Sequence, residues 1–187
     1  MKTNLVSIIG KGLCIGALSA FLISCGDKQP SNPAGPVVDN GPAWINSNKE
    51  AKKVAESIAV GVASAKILDG DINYALNQAS MQARVQIAQM VGTKVEQAII
   101  EMSQADGKKV DGNTLQAARQ KVEATLKQTE IVEKWVDKSQ NPQILWVLVG
   151  MDKEAFETAL KGGSQVLNID ANKAFQLKTT VEGMLRD

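Results

Sequence analysis

The stretch from Asp71 to Gln104 constrains the fold of this 187-residue chain more than any other. Ile72, Ala75, Leu76, Ala79, Ala83, Ile87, Val91, Val95, Ala98, Ile99 and Met102 recur there at steps of three and four. Such spacing lays one apolar stripe along a helix, and Gln78, Gln82, Gln86, Gln89 and Glu96 fall mostly off it. Unbroken, the helix would be about 50 Å long, and Gly92 is where the pattern expects a bend or a break. Alanine at 75, 79 and 83 lets the backbone sit close to whatever it covers. A helix packed across a sheet is the preferred reading, and a partner-binding coiled coil the alternative.

The remaining pattern supplies the sheet. Ile58 to Ala63 alternates large and small: Ile58, Val60 and Val62 on one face, Ser57, Ala59, Gly61 and Ala63 on the other. That is a strand whose small face admits another element closely. Glu130–Asp137 and Gln143–Val149 read as a hairpin about the turn Lys138–Pro142. The second of these strands is apolar on both faces, Trp146 included, so it is expected at the sheet centre with a helix or another subunit over its second face.

Asp71 is a good N-cap for the long helix, and Asn113 with Gln116 reads as a capping box opening the next. Leu115, Ala118, Val122, Thr125 and Leu126 lie on one face of that second helix. Between the two, Asp106, Asp111 and Asn113 lack EF-hand spacing and suit a turn. Asp152 caps a helix to about Leu160, which Gly162-Gly163 is expected to interrupt. Asp170 caps a last helix with Ala174, Leu177, Val181 and Met184 on one side, able to dock on the sheet or on a partner. The fold class is therefore α+β: a small, mostly antiparallel sheet of about three strands in the order β-α-α-β-β-α, packed by a long helix, after a disordered N-terminal tether.

Composition removes much chemistry. The chain has no histidine, which excludes the Ser-His-Asp triad, the Cys-His pair, the HExxH zinc site and an imidazole base. Its two cysteines, Cys14 and Cys25, both fall in the first 25 residues, so the body has no thiol, disulfide or thiolate ligand. Catalytic residues, cofactor-binding residues and metal ligands are all assigned as none, no cofactor is expected, and the chain reads as non-enzymatic. A formal net charge of +1 gives no basic excess for nucleic acid.

The first 42 residues read differently. Lys2 and Lys11 precede a charge-free run from Leu13 to Ile23 that is too short to cross a bilayer as a helix. This is the layout of a secretory signal peptide. Leu22-Ile23-Ser24-Cys25 at its end resembles the bacterial lipobox. The resemblance implies cleavage between Ser24 and Cys25, a diacylglycerol on the Cys25 sulfur and an acyl group on its new amino terminus. Two or three such chains make attachment effectively permanent. Gly26, rather than aspartate, follows the cysteine. By the sorting rule for such proteins this favours the outer membrane over the inner. Gly26 to Pro42 holds four of the five prolines and few apolar residues, which suits a flexible linker. The expected domains are a signal peptide over 1–24, an acylated cysteine and linker over 25–42, and a single α+β domain over 43–187 that includes a C-terminal helix from about 165.

Pro42-x-Trp44, Val60-Gly61-Val62-Ala63-Ser64, the alanines at 75, 79 and 83, and Ile144 to Val149 together resemble the LPP-twenty lipoprotein family over roughly Pro42 to Leu160. That family has a small strand-helix-strand-strand fold, and a related domain occurs in the flagellar assembly protein T. The resemblance brings no catalytic residues. It implies a lipid-anchored envelope protein, periplasmic or surface-facing, with protein partners in flagellar or envelope assembly and homo-oligomers possible. The alternative is a periplasmic ligand- or cell-wall-binding module with its cleft between the long helix and the sheet.

Overall fold

The computed structural model describes residues 38–107, 109–125 and 129–186. Ser24, Cys25, the expected signal peptide and the expected linker up to residue 37 lie outside the described residues, as does Leu126. The elements in chain order are α1 (Ala43–Asn46), α2 (Asn48–Ala55), β1 (Ala59–Lys66), α3 (Ile72–Ala105), α4 (Gly112–Thr125), β2 (Glu130–Asp137), β3 (Ile144–Met151), α5 (Lys153–Leu167) and α6 (Ala171–Arg186). The architecture is α+β, as expected.

The sheet is antiparallel in the order β1-β3-β2, with Ser64 opposite Trp146 and Trp135 opposite the same Trp146. The doubly apolar strand is central because it alone is flanked on both sides. On one face Ala59, Ala63, Ala65, Leu145, Val147 and Val149 pack with α3 in the main core. On the other, Val60, Val62 and Leu148 lie under Trp44, Ile45 and Ala51. The second face is thus covered by α1 and α2 of the same chain. Val38 belongs to this smaller cluster and exchanges hydrogen bonds with the Asn46 side chain at 3.1 and 3.0 Å. The expected Ile58/Val60/Val62 face keeps only its valines, since Ile58 precedes the strand and packs on the main core.

Aspartates start four helices. Asp71, Asp111, Asp152 and Asp170 accept from the backbone N–H groups of Tyr74, Thr114, Ala155 and Lys173 at 2.9, 3.0, 2.7 and 2.9 Å. Each such cap contributes about 1 kcal/mol. Asp111 takes the role expected of Asn113, because its carboxylate also accepts the Thr114 hydroxyl at 2.6 Å. Two expected interruptions are absent: α3 runs unbroken through Gly92 and α5 through Gly162-Gly163. Both buried glycines serve close packing instead. A Cβ on Gly92 would come within 3.2 Å of Arg119 Cγ in α4, and one on Gly163 within 2.9 Å of Val122 Cγ2.

The closest approach is between β1 and α3. A Cβ on Gly61 would lie 2.1 Å from the Ala83 carbonyl oxygen, so only glycine fits against this alanine-lined side of the helix. Gln86 of α3 accepts the Val62 backbone N–H at 3.1 Å and so occupies part of the open edge of β1. The C-terminal half of α3 packs with other helices: α4 lies on it at Gly92, and α6 buries Leu177, Val181 and Leu185 in the main core. The last helix therefore docks on helices of its own chain.

Candidate functional site

The C-terminal end of α3 meets the start of α4 and the turn between α5 and α6 around a cleft of about 350 Å³. Its floor is apolar, formed by Ile99, Met102, Val110, Leu167, Ile169 and Leu177. Ser103, Asp106, Thr114, Asn168, Asp170 and Lys173 make a polar rim. Asn168 ends α5 in the left-handed conformation (φ 49°), which an asparagine tolerates and which turns the chain sharply into α6.

The acids of this region are engaged. Lys173 donates to Asp106 across the rim, and that partner raises the lysine above its ordinary pKa. Asp170 accepts the Lys173 backbone N–H. Next to the rim, the Thr114 hydroxyl and N–H hold the Asp111 carboxyl below the usual carboxylate range. Among the described residues no group of three or more potential metal ligands gathers. An apolar floor with a sparse polar rim is suited to holding an aliphatic or aromatic group by burial, with the rim setting its orientation.

The alternative sequence reading put a ligand cleft between the long helix and the sheet. At Gly61 and Ala83 the sheet and α3 meet closely, and the recess described here lies between helices. Asp106 and Lys173 are 67 residues apart, and nothing in their spacing signals that they meet. Asp106 and Asp111, read as turn residues, prove to be a rim ion-pair partner and a helix cap.

A second exposed feature is the edge strand β2. Ile131 and Val132 are exposed where the register shifts between Ile131 and Glu133, and Glu130, Glu133 and Lys134 stand on the same strand. A bulge and charges at an edge discourage indiscriminate strand pairing. Near the hairpin, Trp135 and Trp146 are half-buried on the sheet face that α1 and α2 cover.

The described residues define the class of the molecule, an α+β domain built on a three-stranded antiparallel sheet crossed by one long helix. Compared with protein-family models and with curated proteins, the chain matches none. Among the described residues no helix is long and apolar enough to cross a membrane.

Proposed function

We propose that this chain is a lipoprotein of the LPP-twenty type, anchored in the outer membrane through acyl chains on Cys25, that presents a non-enzymatic interaction domain to envelope partners. One observation carries the reading: Leu22-Ile23-Ser24-Cys25 closes a charge-free run and is followed by a proline-rich segment. Twelve residues then separate Cys25 from Val38, a span of about 45 Å at most. A domain so tethered works close to the lipid surface, where binding to envelope proteins in flagellar or other assembly is within its reach.

The test is metabolic labelling with a palmitate analogue. The wild type is expected to take up label and to fractionate with outer membranes, and Cys25→Ala to do neither. An unlabelled wild type would sink the anchor.

The helical cleft supports a second reading, a periplasmic ligand- or wall-binding module. Its apolar floor offers about 350 Å³, at the lower end of the range for small-ligand sites. Co-sedimentation with purified peptidoglycan sacculi, lost on Leu177→Lys at the cleft floor or on Lys173→Glu at its rim, favours this reading; a wild type left in the supernatant removes wall binding. An assembly role, by contrast, should depend on the length of the linker.

A further inference from the structure

The outward face of α3 changes character along its length. Residues 74, 78, 81, 85, 88 and 92 follow at steps of three and four, so they form one stripe. At its C-terminal end α4 lies over the stripe, with Glu123 Oε1 3.0 Å from where a Gly92 Cβ would stand. Arg119 of α4 reaches Glu96 of α3 at 3.4 Å and ties the two helices together there. Further towards the N-terminus the same stripe is open: Tyr74 is 58% exposed, Met81 61% and Val85 48%. Asn73, Asn77, Gln82 and Gln89 are exposed beside them.

Charge is sparse on this stretch of α3. From Ile72 to Thr93 the sole charged residue is Arg84, and its guanidinium is turned to Thr129, with Nε 3.2 Å from the hydroxyl and Nη2 3.4 Å from the carbonyl. Solvent-facing helix surfaces ordinarily mix charges of both signs, whereas interface centres are depleted of charge and enriched in tyrosine and methionine. The open stripe also continues an existing helix–helix contact, the one between α3 and α4.

We propose that the uncharged outer face of α3 between Tyr74 and Gln89 is a self-association surface, on which a second copy of this chain lays its own α3 antiparallel across a two-fold axis near Met81. A second copy fits because side-chain amides both donate and accept, so this face complements itself, and because its one cation, Arg84, is turned aside to Thr129. The face is about 22 Å long and one helix wide. That is smaller than the roughly 800 Å² per partner of a standard stable interface, so the dimer is weak and concentration-dependent. Lipid anchoring would raise the local concentration, but the contact itself does not require it.

The test is sedimentation velocity on the full chain in detergent over a wide concentration range, with the Cys25→Ala chain run in parallel. In both, the mass is expected to shift from monomer to dimer as concentration rises. A dimer in Cys25→Ala separates this contact from the anchor, whatever the labelling shows. Met81→Lys alone and Met81→Glu alone should each lose the dimer, and an equal mixture of the two should regain it. Circular dichroism melts close to wild type are expected for both variants, since Met81 is exposed. A wild type that stays monomeric throughout overturns the proposal and leaves the face to a different protein. A dimer indifferent to both substitutions, or a mixture that stays monomeric, overturns it equally.

Discussion

The first half of α3 meets a sheet and the second half meets helices, and the side chains at the two contacts differ accordingly. Against β1 and β3 the helix presents Ala75, Ala79 and Ala83, all fully buried, and the sheet answers with Gly61. Further along it presents Ile87, Val91, Val95 and Ile99, larger side chains buried in the same main core. Small residues let backbones approach and large ones fill space with side chains, so one continuous helix makes two kinds of contact. The comparison teaches where substitution is tolerated: where backbone faces backbone no atom can move aside, and where flexible side chains meet they can.

The largest effect is expected in the helical half. Phe156 of α5 is fully buried in the main core, and Phe156→Ala should cost about 3 to 5 kcal/mol through lost burial and the cavity left. Urea unfolding measures this, and a loss below about 1 kcal/mol would mean that the helical cluster collapses freely around the gap.

One substitution at three glycines sharpens the comparison. Gly61→Ala drives a methyl to 2.1 Å from the Ala83 carbonyl oxygen, a rigid backbone atom, and should destabilise by about 2 to 3 kcal/mol. Gly163→Ala meets the buried, β-branched Val122 at 2.9 Å. Its strain opposes a gain in helix propensity of about 1 kcal/mol, leaving a small net loss. Gly92→Ala meets the Glu123 carboxylate and the Arg119 stem at 3.0 and 3.2 Å. Both side chains can give way, so the same propensity gain of about 1 kcal/mol should leave stability unchanged or improved. Equal losses at Gly61 and Gly92, measured by the same unfolding curves, would break the distinction between rigid and yielding neighbours.

The smallest effects are electrostatic. The Ser139 hydroxyl and N–H, at 2.6 and 2.9 Å, hold the Asp137 carboxyl below its ordinary range, and Thr114 does the same for Asp111. A carboxylate depressed in the folded state stabilises above its unfolded pKa, and that contribution disappears as pH falls through the folded value. Lys173 and Lys178 are raised by Asp106 and Glu157, so their contribution is complete below the ordinary lysine pKa and lost as pH rises through the raised one. Melting temperature should therefore be flat near neutrality and fall at both extremes. Asp137→Asn should shallow the acid limb, and Lys173→Met the alkaline limb. An unchanged acid limb in Asp137→Asn would remove that group from the account.

How much of this was legible in the sequence depends on the range of the cause. The long helix, the hairpin and the central place of Ile144–Met151 follow from periodicity, because burial of a helix stripe or a strand face is written at local spacing. The glycines misled for the same reason. A local reading takes Gly92 and Gly162-Gly163 as helix weaknesses, while their neighbours Arg119, Glu123 and Val122 lie well outside any local window. Trp44 resembled a family motif, yet its burial over Val60, Val62 and Leu148 depends on α1 folding back over the sheet. The helical cleft was not legible because Asp106 and Lys173 meet only once α5 and α6 have turned back along α3.

By itself, then, the sequence determined the three strands, the helices from α3 onward, the aspartate caps of α3, α5 and α6, the α+β class and the lipobox-like motif that carries the proposed function, but not α1, α2 or the Asp111 cap. All of these depend on neighbours a few residues apart. Only the tertiary structure decided what covers the second face of the sheet, which glycines mark close contacts, where the cleft opens and which stretch of α3 stays uncovered. Those outcomes rest on pairs of residues brought together by chain reversal, and the chemistry of either partner alone carries no information about the other.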